Sequence, residues 1–391
     1  MKNISGKKKR LLFIAPTPPP VAGPEVSTQI LLNSPLKDDF ELIHLRSNVH
    51  LTNAQRGEIT LGTLYRFSCL LCRMVFVILT RRPSCVYTIL NQNVSGFLRD
   101  SLVVLLAKLF GVKVVLHFRG SNFEYFYKNQ SKGFQAYVRF VLKRVDAVIL
   151  QANWVKERFK QFVPSERLHV IFNAVPQFIL EGNKESIVNR NGGQVNVLFL
   201  NHLSVAKGFL HFLEASKAIV ATRKDIVFTV VGDKIPNEKN IFHGENGQQI
   251  IFQDVGRAIE EIKRNEEFNG RIRFLGEIND DRQKLTILQN TDIFVLPSYS
   301  EGCPMSVLEA MAVGLPVVVT PVGALKEIIR DPENGLFAPI GDSRALKEKI
   351  EWLADYPHER GKIGQNNRVK MGRDFSVDIV AKKLAQVFNA F

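Results

Sequence analysis

The sequence predicts two doubly wound α/β domains in tandem. Three observations carry the prediction. Short apolar runs recur without the alternation of a half-solvated sheet, as in strands buried on both faces. Stretches of helical character separate these runs, which is the order of a parallel sheet. The pattern stops once, over a polar segment, and then restarts. At 391 residues the chain is too long for one core, since single cores rarely grow beyond about 250–300 residues. With 45% hydrophobic and 23% charged residues, it has the composition of a globular protein. Disorder is expected only in the N-terminal tail.

In the first domain, expected over 1–175, the strands are read at 11–15 (LLFIA), 85–90 (CVYTIL), 113–118 (KVVLHF), 146–150 (DAVIL) and 168–175 (LHVIFNAV). Helices are read at 99–110 and 135–144. The apolar run Leu11–Ala15 is shorter than the hydrophobic region of a signal peptide, so it reads as a strand. The stretch from Leu64 to Pro83 is apolar but carries Arg66 and Arg73, unlike a spanning helix of about 20 uncharged residues. It reads as an amphipathic helix, packed in the core or, as the second reading, lying on a membrane surface.

Residues 176–194 are polar, contain Pro176, Gly182, Gly192 and Gly193, and read as a linker. The second domain, expected over 195–372, restarts the pattern with strands at 195–200, 226–232, 272–278, 291–298 and 316–320, and a helix near 210–222. Residues 235–270 are longer than a usual connection. They read as an insertion, a possible partner surface, with a helix near 254–267. Residues 373–391 show Val377, Val380, Leu384, Val387 and Phe388 at helical spacing. They are expected to pack back on the first domain.

Charge is uneven. Residues 1–180 hold 25 Lys and Arg against 10 Asp and Glu, whereas 181–391 hold 27 against 28. A basic first half suits an anionic partner such as a membrane surface or a phosphate-bearing substrate, or it is simply a solvated surface. Nucleic acid is not expected, because basic motifs interleaved with aromatics are absent. Cys69 and Cys72 form a C-x-x-C without a second pair or a histidine cluster, so zinc is not expected. All four cysteines read as buried thiols of a reducing compartment.

The chemistry concentrates in Ser300–Gly323, SEGCPMSVLEAMAVGLPVVVTPVG. A strand ends at Pro297, and Ser300–Pro304 forms a loop. Pro304 suits the first helical position, and Ser306–Val313 is a short helix stopped by Gly314. That helix should be buried nearly all round, yet it contains Glu309. A buried carboxylate needs partners or it is protonated, and no Lys or Arg lies nearby in sequence. Glu301 falls at the C-terminal edge of a strand, where ligands bind in open α/β sheets. The helix start offers free N–H groups around Cys303 to Ser306, a natural anion site. The acids would then accept from hydroxyls on either side of a diphosphate, as in a nucleotide sugar. The bland alternatives are a buried acid satisfied by amides and a solvated loop residue.

Two stretches of the first domain also draw notice. APTPPPVAGPEVSTQILL sets Gly23 after a strand and before a helix, where glycine permits close approach of a phosphate or simply forms a tight turn. VVLHFRGSN puts His117, Arg119 and Gly120 at a strand's C-terminal end. A lone histidine is more often a satisfied core residue, but this one shares its loop with an arginine, a glycine and Ser121-Asn122.

The run E-G-C-P-M-S-V-L-E-A-M-A-V-G-L-P-V resembles the E-x7-E signature of the family 4 retaining glycosyltransferases, which have the GT-B fold. VGALKEII, ENGLFAPIGD and LNHLSVAKGF agree with that family, the last being similar to its G-R-L-x-x-x-K-G. The resemblance implies two Rossmann-like domains facing across a cleft. It assigns Glu301 to the donor sugar hydroxyls, Glu309 to the ribose and Lys207 to the diphosphate. It sets Gly302–Met305 as the cradle, His117 against the transferred sugar, and Gly23 in the loop facing donor phosphate and acceptor. Gly276 and Glu277 match the region lining the nucleotide base. One departure is that the family's Gly-Arg pair is Asn201-His202 here. His202 is a weaker, pH-dependent cation, for which Arg119 could compensate.

The implied activity is transfer of a hexose with retention from a nucleoside diphosphate sugar, with no metal required and no DxD-like metal motif evident. The acceptor is expected to be a glycan or lipid-linked intermediate of bacterial surface polysaccharide. The protein is expected in the cytoplasm, peripheral on the inner face of the membrane. A sugar-nucleotide epimerase and a non-catalytic sugar-nucleotide-binding scaffold are the alternatives.

Overall fold

The computed structural model describes residues 8–48, 60–182, 193–234, 241–243, 249–251, 254–268 and 270–391. The middle of the expected linker, 183–192, and parts of the 235–270 insertion lie outside the described residues. The chain divides into two compact units, 1–174 with 377–391, and 175–376.

The first unit holds β1 (Lys9–Ala15), β2 (Phe40–Arg46), β3 (Cys85–Ile89), β4 (Lys113–His117), β5 (Ala147–Leu150) and β6 (Leu168–Val170). They form one parallel sheet in the order β2-β1-β3-β4-β5-β6. Alternate residues of each strand enter different cores. Leu12, Ile14, Val86, Val114 and Leu116 join one, and Leu11, Phe13, Tyr87, Val115 and Ile149 join the other. This two-sided burial is why the strands read as unbroken apolar runs. β2 escaped the sequence reading because its residues are mostly only half-buried and polar residues interrupt it.

The second core is closed by the C-terminal helix Val377–Asn389, which buries Val380, Leu384, Val387 and Phe388. The Phe388 ring meets Phe13 and Phe40 at 5.9 Å and Tyr87 at 6.2 Å between centroids.

The second unit holds β7 (Val195–Leu200), β8 (Ile226–Val231), β11 (Ile272–Phe274), β12 (Ile293–Leu296), β13 (Val317–Val319) and β14 (Leu336–Phe337). Its parallel sheet runs β11-β8-β7-β12-β13-β14. The antiparallel pair β9 (Ile241–His243) and β10 (Gln249–Ile251) falls in the expected insertion. It is followed by the helix Val255–Arg264, capped by Asp254. The unit starts well before Val195, the residue at which the sequence pattern restarts. Val175 donates its N–H to Phe375, and the short helix Gln177–Glu181 buries Ile179.

Three expectations need correction. The core reading of the apolar helix holds for one face only: Leu70, Met74 and Ile78 join the sheet's core, and the other residues of Leu61–Arg81 are half-buried or exposed. Consequently Cys72 is exposed and Cys69 half-buried, and only Cys85 and Cys303 are buried thiols. Pro304 is the cap of its helix rather than its first residue, since Met305–Ala312 carries the helical geometry.

Because Phe388 is fully buried among three aromatic rings, Phe388→Ala should cost about 3–5 kcal/mol of the first unit's stability. Denaturant unfolding followed by fluorescence would measure it.

Candidate active site

Each sheet reverses strand order at one point, and there the loops leaving two neighbouring strands diverge to opposite faces. In the second unit that point lies between β7 and β12. The loops after these strands run in backbone contact: Tyr299 donates its N–H to Ala206 O at 3.0 Å. Gly208 has φ +67, and a Cβ there would stand 1.9 Å from Pro297 O. Only glycine fits so close an approach. The loop after β13 joins similarly. A Cβ on Gly323 would stand 2.1 Å from Glu301 O, and Thr320 donates its hydroxyl to Ser298 O.

This packing brings Lys207 to Glu301, 94 residues apart in sequence. Lys207 Nζ donates to Glu301 Oε1 at 2.7 Å, and Ser298 Oγ donates to the same oxygen at 2.7 Å. Glu301 is only 8% exposed, so the solvated-loop reading is excluded. A hydrogen-bond chain braces the loop from behind. Ser343 Oγ gives its one proton to Glu214 (2.6 Å), so it accepts from His211 Nδ1 (2.9 Å). His211 Nε2 then accepts from the Tyr299 hydroxyl at 2.6 Å. Burial lowers the His211 pKa, consistent with this neutral tautomer.

Beside Glu301 the helix Met305–Ala312 begins, with every residue buried. Its first N–H groups have no intrahelical acceptor, and Ser306 Oγ is buried without a hydrogen-bond partner among the described residues. Glu309, in the same helix, meets Lys284 Nζ at 3.0 Å. Burial raises the Glu309 pKa and the lysine opposes this. For Lys284 burial works against the charge, but the carboxylates of Glu309 and Asp281 together outweigh it and the pKa is raised. Lys284 comes from the helix Asp281–Gln289, which nothing in the sequence tied to Glu309 beyond a buried acid's need for a cation.

The remaining second-unit candidates sit at the same sheet edge. His202 follows β7, its N–H bonded to the Asn201 side chain at 2.9 Å. Gly276 accepts from Gly232 N at 2.8 Å. Glu277 is exposed, and its strand β11 is separated from β12 by β8 and β7.

The first unit has its own constellation. His117 ends β4 and is 2% exposed. Its Nδ1 lies 2.7 Å from the Tyr87 hydroxyl, to which Arg119 donates at 3.1 Å. With the arginine donating, the Tyr87 proton goes to His117 Nδ1. The histidine proton then sits on Nε2, which is buried and without a partner among the described residues. Burial, and then the Arg119 charge, hold His117 well below the usual histidine range. It is therefore a neutral hydrogen-bond donor, not a satisfied core residue. Arg119 also reaches Asn173 Oδ1 at 3.3 Å, which accepts from Gln151 at 2.8 Å and Ser27 at 2.9 Å. Tyr87 lies in a strand and Asn173 in a loop, and neither carried a sequence signal.

Gly23 opens the helix Gly23–Leu32, and a Cβ there would touch nothing within 4 Å. Packing within the fold does not require glycine at that position. Within this unit a cavity of about 530 Å³ lies over β1 and β3, where the sheet reverses order. Its lining includes the polar Asn91, Gln92, Arg99 and Arg119 and the apolar Leu64, Phe67 and Leu70.

Two parallel six-stranded Rossmann-like units, the second with an acid–lysine pair at its switch point, constitute the GT-B fold. The chain belongs to the group 1 glycosyltransferases. The family's "Glycosyl transferases group 1" domain matches residues 182–370, and its "Glycosyl transferase 4-like domain" matches 22–174. Among curated relatives, the capsular polysaccharide biosynthesis glycosyltransferase CapM of Staphylococcus aureus is 32% identical over 190 residues, 47% of this chain and 43% of that one. The N,N'-diacetylbacillosaminyl-diphospho-undecaprenol alpha-1,3-N-acetylgalactosaminyltransferase of Campylobacter jejuni is 34% identical over 121 residues, 31% of each chain. Both alignments thus span less than half of the relative. Among solved structures, HepE of Anabaena in complex with UDP-glucose superposes with a TM-score of 0.69 at 17% identity, covering 98% of this chain and 100% of that one.

Lys284→Met strands the Glu309 carboxylate in a buried site and should cost about 3–5 kcal/mol. Adding Glu309→Leu should recover most of that loss in denaturant unfolding. His117 gives a pH signature. Its folded-state pKa lies below the ordinary 6.5, so the unfolded chain binds the extra proton between those two values. The His117 contribution to stability is complete above pH 6.5 and falls as pH drops through that window. His117→Asn should flatten this part of the acid limb in a series of denaturation curves.

Proposed function

We propose that the protein transfers a hexose, with retention, from a nucleoside diphosphate sugar to a glycan or lipid-linked acceptor in the assembly of a surface polysaccharide. The observation that carries the reading is the Lys207–Glu301 contact at the switch point beside the start of the helix Met305–Ala312. A cation and free amides there suit a diphosphate, and acids beside it suit hydroxyls. The names of the relatives support the biological setting. One acts in capsule synthesis and another on an undecaprenol-diphosphate-linked sugar, while HepE holds UDP-glucose.

In the proposed reaction the diphosphate lies against Lys207 and the N–H groups of Met305–Val307. Glu301 accepts from hydroxyls of the sugar and Glu309 from the ribose, with Lys284 holding the Glu309 carboxyl in place. The bond between the anomeric carbon and the diphosphate oxygen breaks, and the acceptor oxygen bonds to that carbon on the same face. The acceptor proton passes to the departing phosphate, so no side-chain nucleophile or metal is called upon. The residues act by positioning and by stabilising charge on the leaving group. In the first unit, His117 Nε2–H and Arg119 are donors suited to sugar hydroxyls and phosphate. The setting proposed is the cytoplasmic face of a membrane.

A panel of nucleotide sugars, scored for thermal stabilisation and for transfer, tests the reading. Lys207→Ala and Glu301→Gln should each lower turnover by about 10²–10³-fold while the proteins remain folded. Full turnover by Glu301→Gln would overturn the assignment. Conversion of the donor to an epimer without acceptor would replace it with an isomerase.

A further inference from the structure

The first unit carries an apolar surface that does not belong to its core. The helix Leu61–Arg81 is long and apolar enough to cross a membrane. Leu61 is 87% exposed, Tyr65 72%, Phe76 67% and Leu79 58%. At their spacing these residues fall on one side of the helix, a stripe about 27 Å long at 1.5 Å per residue. Arg66 and Arg73, seven residues apart, run along one flank of the stripe, and Arg81 and Arg82 stand at its end. From Ile59 to Arg99 the sequence contains five arginines and not one Asp or Glu. The neighbouring helix Val94–Leu109 extends the surface with Leu98, Leu102 and Leu109, all exposed.

We propose that this face docks on an anionic lipid surface. The stripe enters the headgroup boundary, and the flanking arginines reach lipid phosphates. Glu41 meets Arg81 at 3.5 Å, but the helix Leu61–Arg81 itself contributes only cations, and an apolar face bordered by them complements anionic lipid on both counts. The helix lies on the membrane and does not span it, because Leu70, Met74 and Ile78 are held in the sheet's core with Leu12 and Ile14. A two-fold contact with a second copy would bring the two arginine-bearing flanks together, which like-charge repulsion opposes. The inward edge of the same helix, Leu64, Phe67 and Leu70, walls the cavity that holds Arg99 and Arg119. Docking therefore sets that cavity at the lipid boundary. The inference deepens the reading of a lipid-linked acceptor and rests on it for its purpose, but not for its test.

The test is flotation of the full chain with vesicles of phosphatidylcholine alone and of phosphatidylcholine mixed with phosphatidylglycerol. The wild type should float with the mixed vesicles and lose most binding in high salt. Arg66→Glu with Arg73→Glu should weaken binding by about thirtyfold or more. Phe76→Asp with Leu79→Asp should weaken it by about tenfold or more. Both variants should keep the wild-type melting temperature and its nucleotide-sugar response. Absence of flotation, or equal flotation by wild type and variants, overturns the docking face and leaves the proposed transferase standing. So does a self-association of the wild type that Phe76→Asp abolishes without any lipid binding. Flotation by a protein that no nucleotide sugar stabilises would instead sink the transferase and leave the docking face.

Discussion

The second unit's site depends on how closely the loops after β7 and β12 approach. Gly208 and Pro297 are in backbone contact that no side chain at Gly208 would allow, and the Tyr299-to-Ala206 hydrogen bond fixes the register of the two loops. From that contact follows the meeting of Lys207 with Glu301. The start of the helix Met305–Ala312 is then aimed at the same edge of the sheet. Strand order creates the crevice, but the glycine decides whether the two charged groups share it.

Around that contact the fold spends buried polarity sparingly and pairs most of it. Glu301 has a lysine and a serine. Glu309 has Lys284. Tyr299, His211, Ser343 and Glu214 form one directed chain. Among the described residues, the buried polar atoms left without partners include His117 Nε2 in the first unit and Ser306 Oγ in the second. Each lies at the C-terminal edge of a sheet, where a ligand of this fold class is received. Unmet donors at a crevice are tolerable when a ligand supplies the acceptor.

Much of the fold was legible because both sheets are buried on two faces, which writes strands as apolar runs. What was missed follows from the same physics. β2 is half-buried and interrupted by polar residues, and β14 has two residues. The helix Leu61–Arg81 was legible only in part, because its apolar composition does not say which residues face the core, and only Leu70, Met74 and Ile78 do so. In the site, glycines and acids stood out because their chemistry is unusual for their local pattern. Lys284, Tyr87 and Asn173 did not, since a lysine on an amphipathic helix, a tyrosine in a strand and an asparagine in a loop are ordinary. Their roles arise from long-range packing that no spacing encodes.

The most direct test of the central claim is calorimetric titration of a panel of nucleoside diphosphates into the wild type and into Gly208→Ala. If the loop contact builds the diphosphate site, the wild type binds at least one of them. Gly208→Ala, still folded by circular dichroism, should then bind it at least about tenfold more weakly. Equal binding by the two proteins, or no binding of any nucleoside diphosphate by the wild type, would contradict the account.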